Sequence, residues 1–478
     1  MAVCLVFLPG RAEQLSETRA VRLLLVNNTR IVNAGIDIRI ARTDKKIALT
    51  PFRPRVTCSV NRLFSDNSIQ TAGDGTVSKL FSTGTAVSVS GGSIAVDSDF
   101  QDVRNRAGMV LVRQPLLRDG FGRASRRIIR SADIRISVAR LESEILRQEM
   151  IITAVKLYWD FVTSLEIEKA QQERYRLYQE LSLLIEKKKK EGGVEKREEL
   201  ITKSALLASR AALQRSVYSR ARAQRNLVLF ISPDRQFDVE PVLTADERVT
   251  EDAEKLMDRA YISSLIAVRP DIQLLQKNLE IITLQSEIDS SNSLPGLDLI
   301  AGYGSDSFSF NGAESGGFSY MPAENQESGY MAGISFSYAI GGNENSGRAQ
   351  RDFLEALKVR NVLRTRQRQA VTEYVDSLEL YKTALQRIEL LKEVMDTDRE
   401  NAENEKKELT RARSTFEQVV EYENRYISSR TAYWRGMADM RKAIAALRKS
   451  CGVLADRYEK ENADAKRGAD DDDFGLFE

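Results

Sequence analysis

The ionisable groups available for chemistry in this chain are carboxylates, lysines and arginines, because its 478 residues include no histidine. That absence removes His-based triads, His general bases and His metal ligands together. No motif arranges the remaining carboxylates or lysines for catalysis, so the sequence reads as that of a protein that is not an enzyme. Glu417 and Glu421, in Thr415-Phe-Glu-Gln-Val-Val-Glu421, stand one helical turn apart and share a face; taken alone they read as a solvated pair. Lys187–Lys190 precede Gly192-Gly193, and such a run is ordinarily a solvated helix face, with a binding role as the sharper alternative. Cys4, Cys58 and Cys451 lack metal-ligand spacing and form no disulfide framework. No metal or cofactor is expected.

The elements that must position these groups are long. Residues 123–191 and 348–435 contain neither glycine nor proline. A helix over the first stretch would reach roughly 100 Å at about 1.5 Å per residue. Tyr374, Leu378, Tyr381, Leu385, Ile388 and Met395 recur at coiled-coil spacing, as do Val419, Tyr426, Tyr433, Met440 and Leu447; a seven-residue period implies helices packed along their length. Gly192-Gly193 marks one reversal, since glycine accepts the positive φ that ends a helix. The other falls near Arg411-Ala-Arg-Ser-Thr415, where Ser414 or Thr415 can cap the returning helix. Tyr158, Trp159 and Tyr374 read as helix-packing residues.

The chain repeats itself. Pro54 follows Ile31 at the distance at which Pro295 follows Ile272, Gly122-Arg-Ala124 recurs as Gly347-Arg-Ala349, and Tyr158-Trp-Asp-Phe-Val162 as Tyr374-Val-Asp-Ser-Leu378. Each copy reads helix, strand, loop, strand, long helix, reversal, long helix. Period-two alternation places Leu297, Leu299, Ala301 and Tyr303 on one strand face, and Ile334, Phe336, Tyr338 and Ile340 on one face of the return strand. Strands are expected over about 54–64, 108–115, 295–303 and 330–340, with Thr85–Ser90 as an extra hairpin inside a long loop.

A net charge of +2 offers no general attraction to nucleic acid. No apolar run is long enough for a spanning helix, so any membrane crossing must use strands. Four strands cannot close a barrel, and open edges facing lipid leave backbone groups unsatisfied. Several copies must therefore pool their strands; with twelve long helices to match, three copies suit best.

Arg269-Pro-Asp-Ile272, the proline-led strands at Pro54 and Pro295, Gln114-Pro-Leu-Leu-Arg-Asp-Gly-Phe-Gly-Arg123 and Gly193-Val-Glu-Lys-Arg-Glu-Glu-Leu-Ile201 occur in an order that resembles the TolC-like outer-membrane efflux family over about residues 16–452. The resemblance implies a mixed α and β membrane protein of two tandem repeats. It implies a trimeric twelve-stranded β-barrel, four strands per chain, continuous with a long periplasmic α-helical barrel. Its expected partners are two further copies of itself, outer-membrane lipid, a periplasmic adaptor and an inner-membrane pump of the resistance-nodulation-division, ATP-binding-cassette or major-facilitator type. The role implied is that of a passive conduit for efflux or type I secretion. The family also places acidic rings just after the second reversal, which puts Glu417, Gln418 and Glu421 at a pore constriction, with Gln418 where a carboxylate is usual. Glu199 is the equivalent position in the first copy, with Thr202 in place of the later acid. Gly192, Gly193, Glu199, Arg411, Ala412 and Ser414 fall at the tips that meet the adaptor.

On this reading residues 1–12 are the remnant of a signal peptide, 13–235 the first repeat with its helical hairpin at about 120–232, and 236–262 a linker. Residues 263–452 are the second repeat with its hairpin at about 345–450, and 453–478, holding Asp470–Asp473, a disordered acidic tail. An intracellular coiled-coil scaffold with Gly/Ser-rich inserts would account for the arms equally well, but not for the alternation within the inserts.

Overall fold

A computed structural model describes residues 13–65, 68–98, 103–190, 196–233, 239–242, 259–305, 308–310, 318–320, 328–338, 344–411, 413–452 and 454. In chain order the elements are β1 (Glu13–Leu15), α1 (Glu17–Asn27), α2 (Thr29–Ala48), β2 (Arg55–Ser65), β3 (Ser68–Leu80), β4 (Ala86–Ser98), β5 (Val103–Pro115), α3 (Arg123–Lys190) and α4 (Lys196–Ile231). They continue as β6 (Val239–Pro241), α5 (Arg259–Val268), α6 (Pro270–Asn292), β7 (Gly296–Ser305), β8 (Phe308–Phe310), β9 (Phe318–Tyr320), β10 (Ser328–Ser337), α7 (Glu344–Thr410) and α8 (Phe416–Ser450). No described helix is long and apolar enough to cross a membrane. Expected features at 1–12, 191–195 (with Gly192 and Gly193), 339–340, Ala412 and 455–478 lie outside the described residues, as does most of the expected linker.

The chain divides into two units, one of Met1–Gly35, Leu141–Gln273 and Thr365–Glu478, the other of Ile36–Arg140 and Leu274–Arg364. The first is helical, with β1 and β6 paired in parallel. Ser16 caps α1 by accepting from the Arg19 amide, and Ala20, Val21 and Leu24 form the buried stripe of that helix. Against it pack Ile151, Val155, Tyr158, Phe161, Leu227, Ile231 and Ala438. The Tyr158 hydroxyl donates to the Val242 carbonyl at 2.8 Å and the Trp159 indole to Glu17 at 2.8 Å, so both rings are held by packing and by their polar edges. Along the second pair of long helices Tyr374, Leu378, Tyr381 and Ile388 are buried, as are Val419, Met440 and Leu447; these belong to the heptad positions read from the sequence.

Besides the separate two-stranded pair β8-β9, the second unit holds a six-stranded antiparallel sheet in the order β10-β7-β5-β4-β3-β2. It has six strands where the sequence reading gives four, because β3 and β4 are full members and not an excursion from a loop. They pair from Ser68–Ser98 to Leu80–Ala86. In β3 the alternation is diluted by Gly73, Gly75 and polar residues, so the strand is set by pairing along both edges rather than by its own pattern. Its turn is fastened where β5 hands over to α3. Gly84 adopts φ 78° and Gly122 φ 73°, and a Cβ at Gly122 would stand 2.0 Å from the Ser82 carbonyl oxygen. Gln114 donates to the Thr83 carbonyl, and Asp119 accepts from the amide of Ser125 at 3.0 Å.

The two faces of the sheet differ. Val56, Val77, Val89, Val110, Tyr303 and Tyr330 are successive register partners across the six strands, on one face, and all are exposed. Leu299, Ile334 and Phe336 extend that face, and the Tyr303 and Tyr330 rings lie 4.9 Å apart. The other face carries Thr57, Thr76, Ser78 and Ser88, Ser59 donating to Asp74, and Arg113 paired with Asp298 at 2.5 Å. Among the described residues β2 and β10 each have one edge without a strand partner.

Candidate functional site at the helical tips

The ends of α3, α4, α7 and α8 bring together most of the residues that the sequence marks out. Beneath them a small core of Tyr178, Leu181, Ile185, Leu409, Phe416 and Val419 ties both hairpins to one another. Burial raises the Tyr178 hydroxyl to about 12, against the pull of Arg174, so it remains a neutral donor facing the Val420 carbonyl.

Glu199, Glu417 and Glu421 each have a cationic partner in the same chain. Lys189 reaches Glu199 at 2.7 Å across the first reversal, and this hydrogen bond is the main cause holding the Glu199 carboxyl below its ordinary value. Arg197 on α4 reaches Glu417 on α8 at 3.2 Å, an exposed pair joining the two hairpins. Glu421 pairs with Arg425 one turn on, at 2.6 Å. Arg411 reaches back to Glu408 at 2.8 Å, and the Ser414 hydroxyl donates to Glu405.

Gln418 is occupied differently. Thr415 caps α8, its hydroxyl accepting from the Gln418 amide while the Gln418 side-chain oxygen accepts from the Thr415 amide at 3.2 Å. This reciprocal capping box satisfies two otherwise unpaired helix-end amides. Of the two caps open from sequence, Thr415 is the residue used. Thr202 is buried, Glu417 and Glu421 exposed.

A second cluster escaped sequence reasoning except for its first members. Arg269, whose side chain is 5% exposed, forks onto Asp271 at 3.0 and 2.9 Å and reaches Glu373 at 2.8 Å. Arg366 binds the same two carboxylates at 2.8 and 2.5 Å. Burial works against the charged forms of Asp271 and Glu373, but the two guanidinium groups outweigh it and hold both carboxyls below their ordinary range. The Arg-Pro-Asp segment is thus a structural clamp between the start of α6 and α7; Arg366 and Glu373 join it seven residues apart on one helix, a spacing that the charged surface of α7 hides. Among the described residues no group of His, Cys, Asp or Glu has metal-site geometry.

No family model matches the sequence, and no curated protein matches it. Solved structures do match. The CmeC outer-membrane channel of Campylobacter jejuni has a TM-score of 0.66 at 15% identity, over 92% of this chain and 86% of that one. The outer-membrane protein VceC of Vibrio cholerae has 0.64 at 13%, over 91% and 96%. The open state of the MtrE outer-membrane channel of Neisseria gonorrhoeae has 0.62 at 14%, over 91% and 88%. At such identities the likeness is one of fold, and it spans nearly the whole of each chain: this protein has the fold of these outer-membrane channels.

Proposed function

We propose that this chain is the outer-membrane channel of a tripartite efflux or type I secretion assembly. Three copies pool their sheets into one closed barrel in the outer membrane, and their long helices form a conduit through the periplasm. The observation that carries this reading is the sheet: one face presents a continuous exposed apolar row to its surroundings, the other carries Thr57, Thr76, Ser78, Ser88 and the Arg113–Asp298 pair beside Met109, Leu111 and Ile300, and among the described residues both edges are open. Lipid satisfies the first and a water-filled lumen the second, and only edge-to-edge pairing between copies removes the open edges. Since β2 and β10 run in opposite directions, β2 of one copy can add to β10 of the next with antiparallel pairing, a head-to-tail contact that closes into a ring.

The protein performs no chemistry on this reading; the pump supplies the energy, and the tips of the helices meet the adaptor. Passage is controlled at the tips, where the Arg197–Glu417 pair joins the two hairpins and Glu421 contributes to a ring of three. Intrachain arginines offset those carboxylates, so a negative constriction would be weaker than bare acidic rings would give. A coiled-coil scaffold would need no two-faced sheet.

Expression with fractionation tests the proposal. The protein should be recovered from the outer membrane as a detergent-resistant trimer and should form ion-conducting channels in planar bilayers. Recovery as a soluble, non-conducting rod refutes it.

A further inference from the structure

We infer that the β3–β4 hairpin forms part of the membrane wall itself, so that each chain contributes six strands and a trimer closes on eighteen. The inference rests on the channel reading above and changes the dimensions that reading assigns to the pore. Three independent features carry it.

First, the apolar row crosses the hairpin without interruption. Val77 on β3 and Val89 on β4 stand in register between Val56 and Val110, and all four side chains are exposed on the same face. A hairpin projecting into water would have no reason to continue the lipid face of its neighbours. Thr76 and Ser88, beside them in sequence, point to the polar face with Thr57. Second, β3 and β4 are paired along thirteen residues each, the length of β5. That is enough to cross a bilayer when tilted. Third, the turn between them is short and locked by Gly84 against Gly122 and Pro115, at the end of the sheet where strands pass into helices. Short turns at the periplasmic rim are the rule in outer-membrane barrels. This turn is therefore a rim turn, and the hairpin runs outward from it through the bilayer.

The consequence is width. With strands about 4.8 Å apart and tilted about 40°, twelve strands close at a backbone radius of about 12 Å and eighteen at about 18 Å. The cross-section at the backbone then rises roughly twofold. A lumen of that bore, lined by serine, threonine and the Arg113–Asp298 pair beside Leu111 and Met109, suits large hydrated cargo rather than a close-fitting small molecule.

Single cysteines placed at Val89, Ser88 and Tyr303, in a background with Cys4, Cys58 and Cys451 changed to serine, test this in the full chain inserted in liposomes. Only folded trimer is scored. A membrane-impermeant maleimide should label Val89→Cys and Tyr303→Cys about tenfold more slowly than Ser88→Cys. Slow labelling at Tyr303→Cys with fast labelling at Val89→Cys places the hairpin in water and overturns the inference while leaving the channel intact. Fast labelling at Tyr303→Cys overturns the channel reading itself. Cryo-electron microscopy of the unmodified trimer counts the strands directly: eighteen supports the inference, twelve overturns it.

Discussion

The Arg197–Glu417 pair makes the gating proposal quantitative. The two side chains are 73% and 61% exposed, so one pair contributes only about 0.2–1 kcal/mol in water. Three copies acting together in a trimer would contribute roughly 0.6–3 kcal/mol, or about threefold to 150-fold in the ratio of closed to open tips. Arg197→Glu replaces attraction by like-charge repulsion between α4 and α8. The open probability of single channels in planar bilayers should therefore rise by at least about threefold at roughly 0.1 M salt. The difference should shrink at about 1 M salt, where the screening length falls from about 10 Å to about 3 Å. The double variant Arg197→Glu with Glu417→Arg restores the attraction in reverse and should return the open probability towards wild type. A single variant no more open than wild type at low salt, or a double variant as open as the single, would refute the assignment of this pair as the link that holds the tips.

Glu421→Ala should lower cation preference in the same bilayers, and unchanged selectivity would mean that Glu421 is only a solvated partner of Arg425. Arg269→Ala strips one guanidinium from Asp271 and Glu373 while Arg366 stays bound to both, so the loss should be about 2–3 kcal/mol, below that of a fully buried pair, and read as a lowered unfolding temperature. The same clamp sets an acid limit. Asp271 and Glu373 have depressed folded-state values, so their contribution is present above the ordinary carboxylate range near 4, is lost as pH falls through their lowered values, and should be smaller in the pH profile of Arg269→Ala, where Arg366 alone still holds both. Gly122→Ala forces a Cβ against the Ser82 carbonyl at a positive φ and should destabilise the sheet junction by at least about 2 kcal/mol, seen as a lower dissociation temperature of the trimer on gels. Thr415→Ala removes the cap of α8 at a cost of about 1 kcal/mol, so hydrogen exchange at the Gln418 amide should quicken about fivefold, with amides in mid-helix unchanged.

Much of this protein is legible in one dimension, because its dominant signals are local. The glycine- and proline-free stretches become α3 and, broken only by the turn before Thr415, α7 with α8, since they hold no glycine or proline to stop a helix, and the heptads of α7 and α8 give those two a buried seam. The alternation of Leu297, Leu299 and Tyr303 is enough to place a strand with one apolar face. The absence of histidine is a fact of composition that no folding can alter. What required the tertiary structure was long-range pairing. β3 is a strand because β2 and β4 flank it, and its glycines are silent in a pattern search. Gln418 reads as a missing acid in a ring until its side chain is seen closing the cap on Thr415. Arg197 and Glu417 lie 220 residues apart, and Arg366 reaches Asp271 across 95. Sequence periodicity reports which face of an element seeks burial; it carries no information on which distant element will provide it. The elements of this fold follow from the former, and the order of the six-stranded sheet and the pairings at the helical tips from the latter.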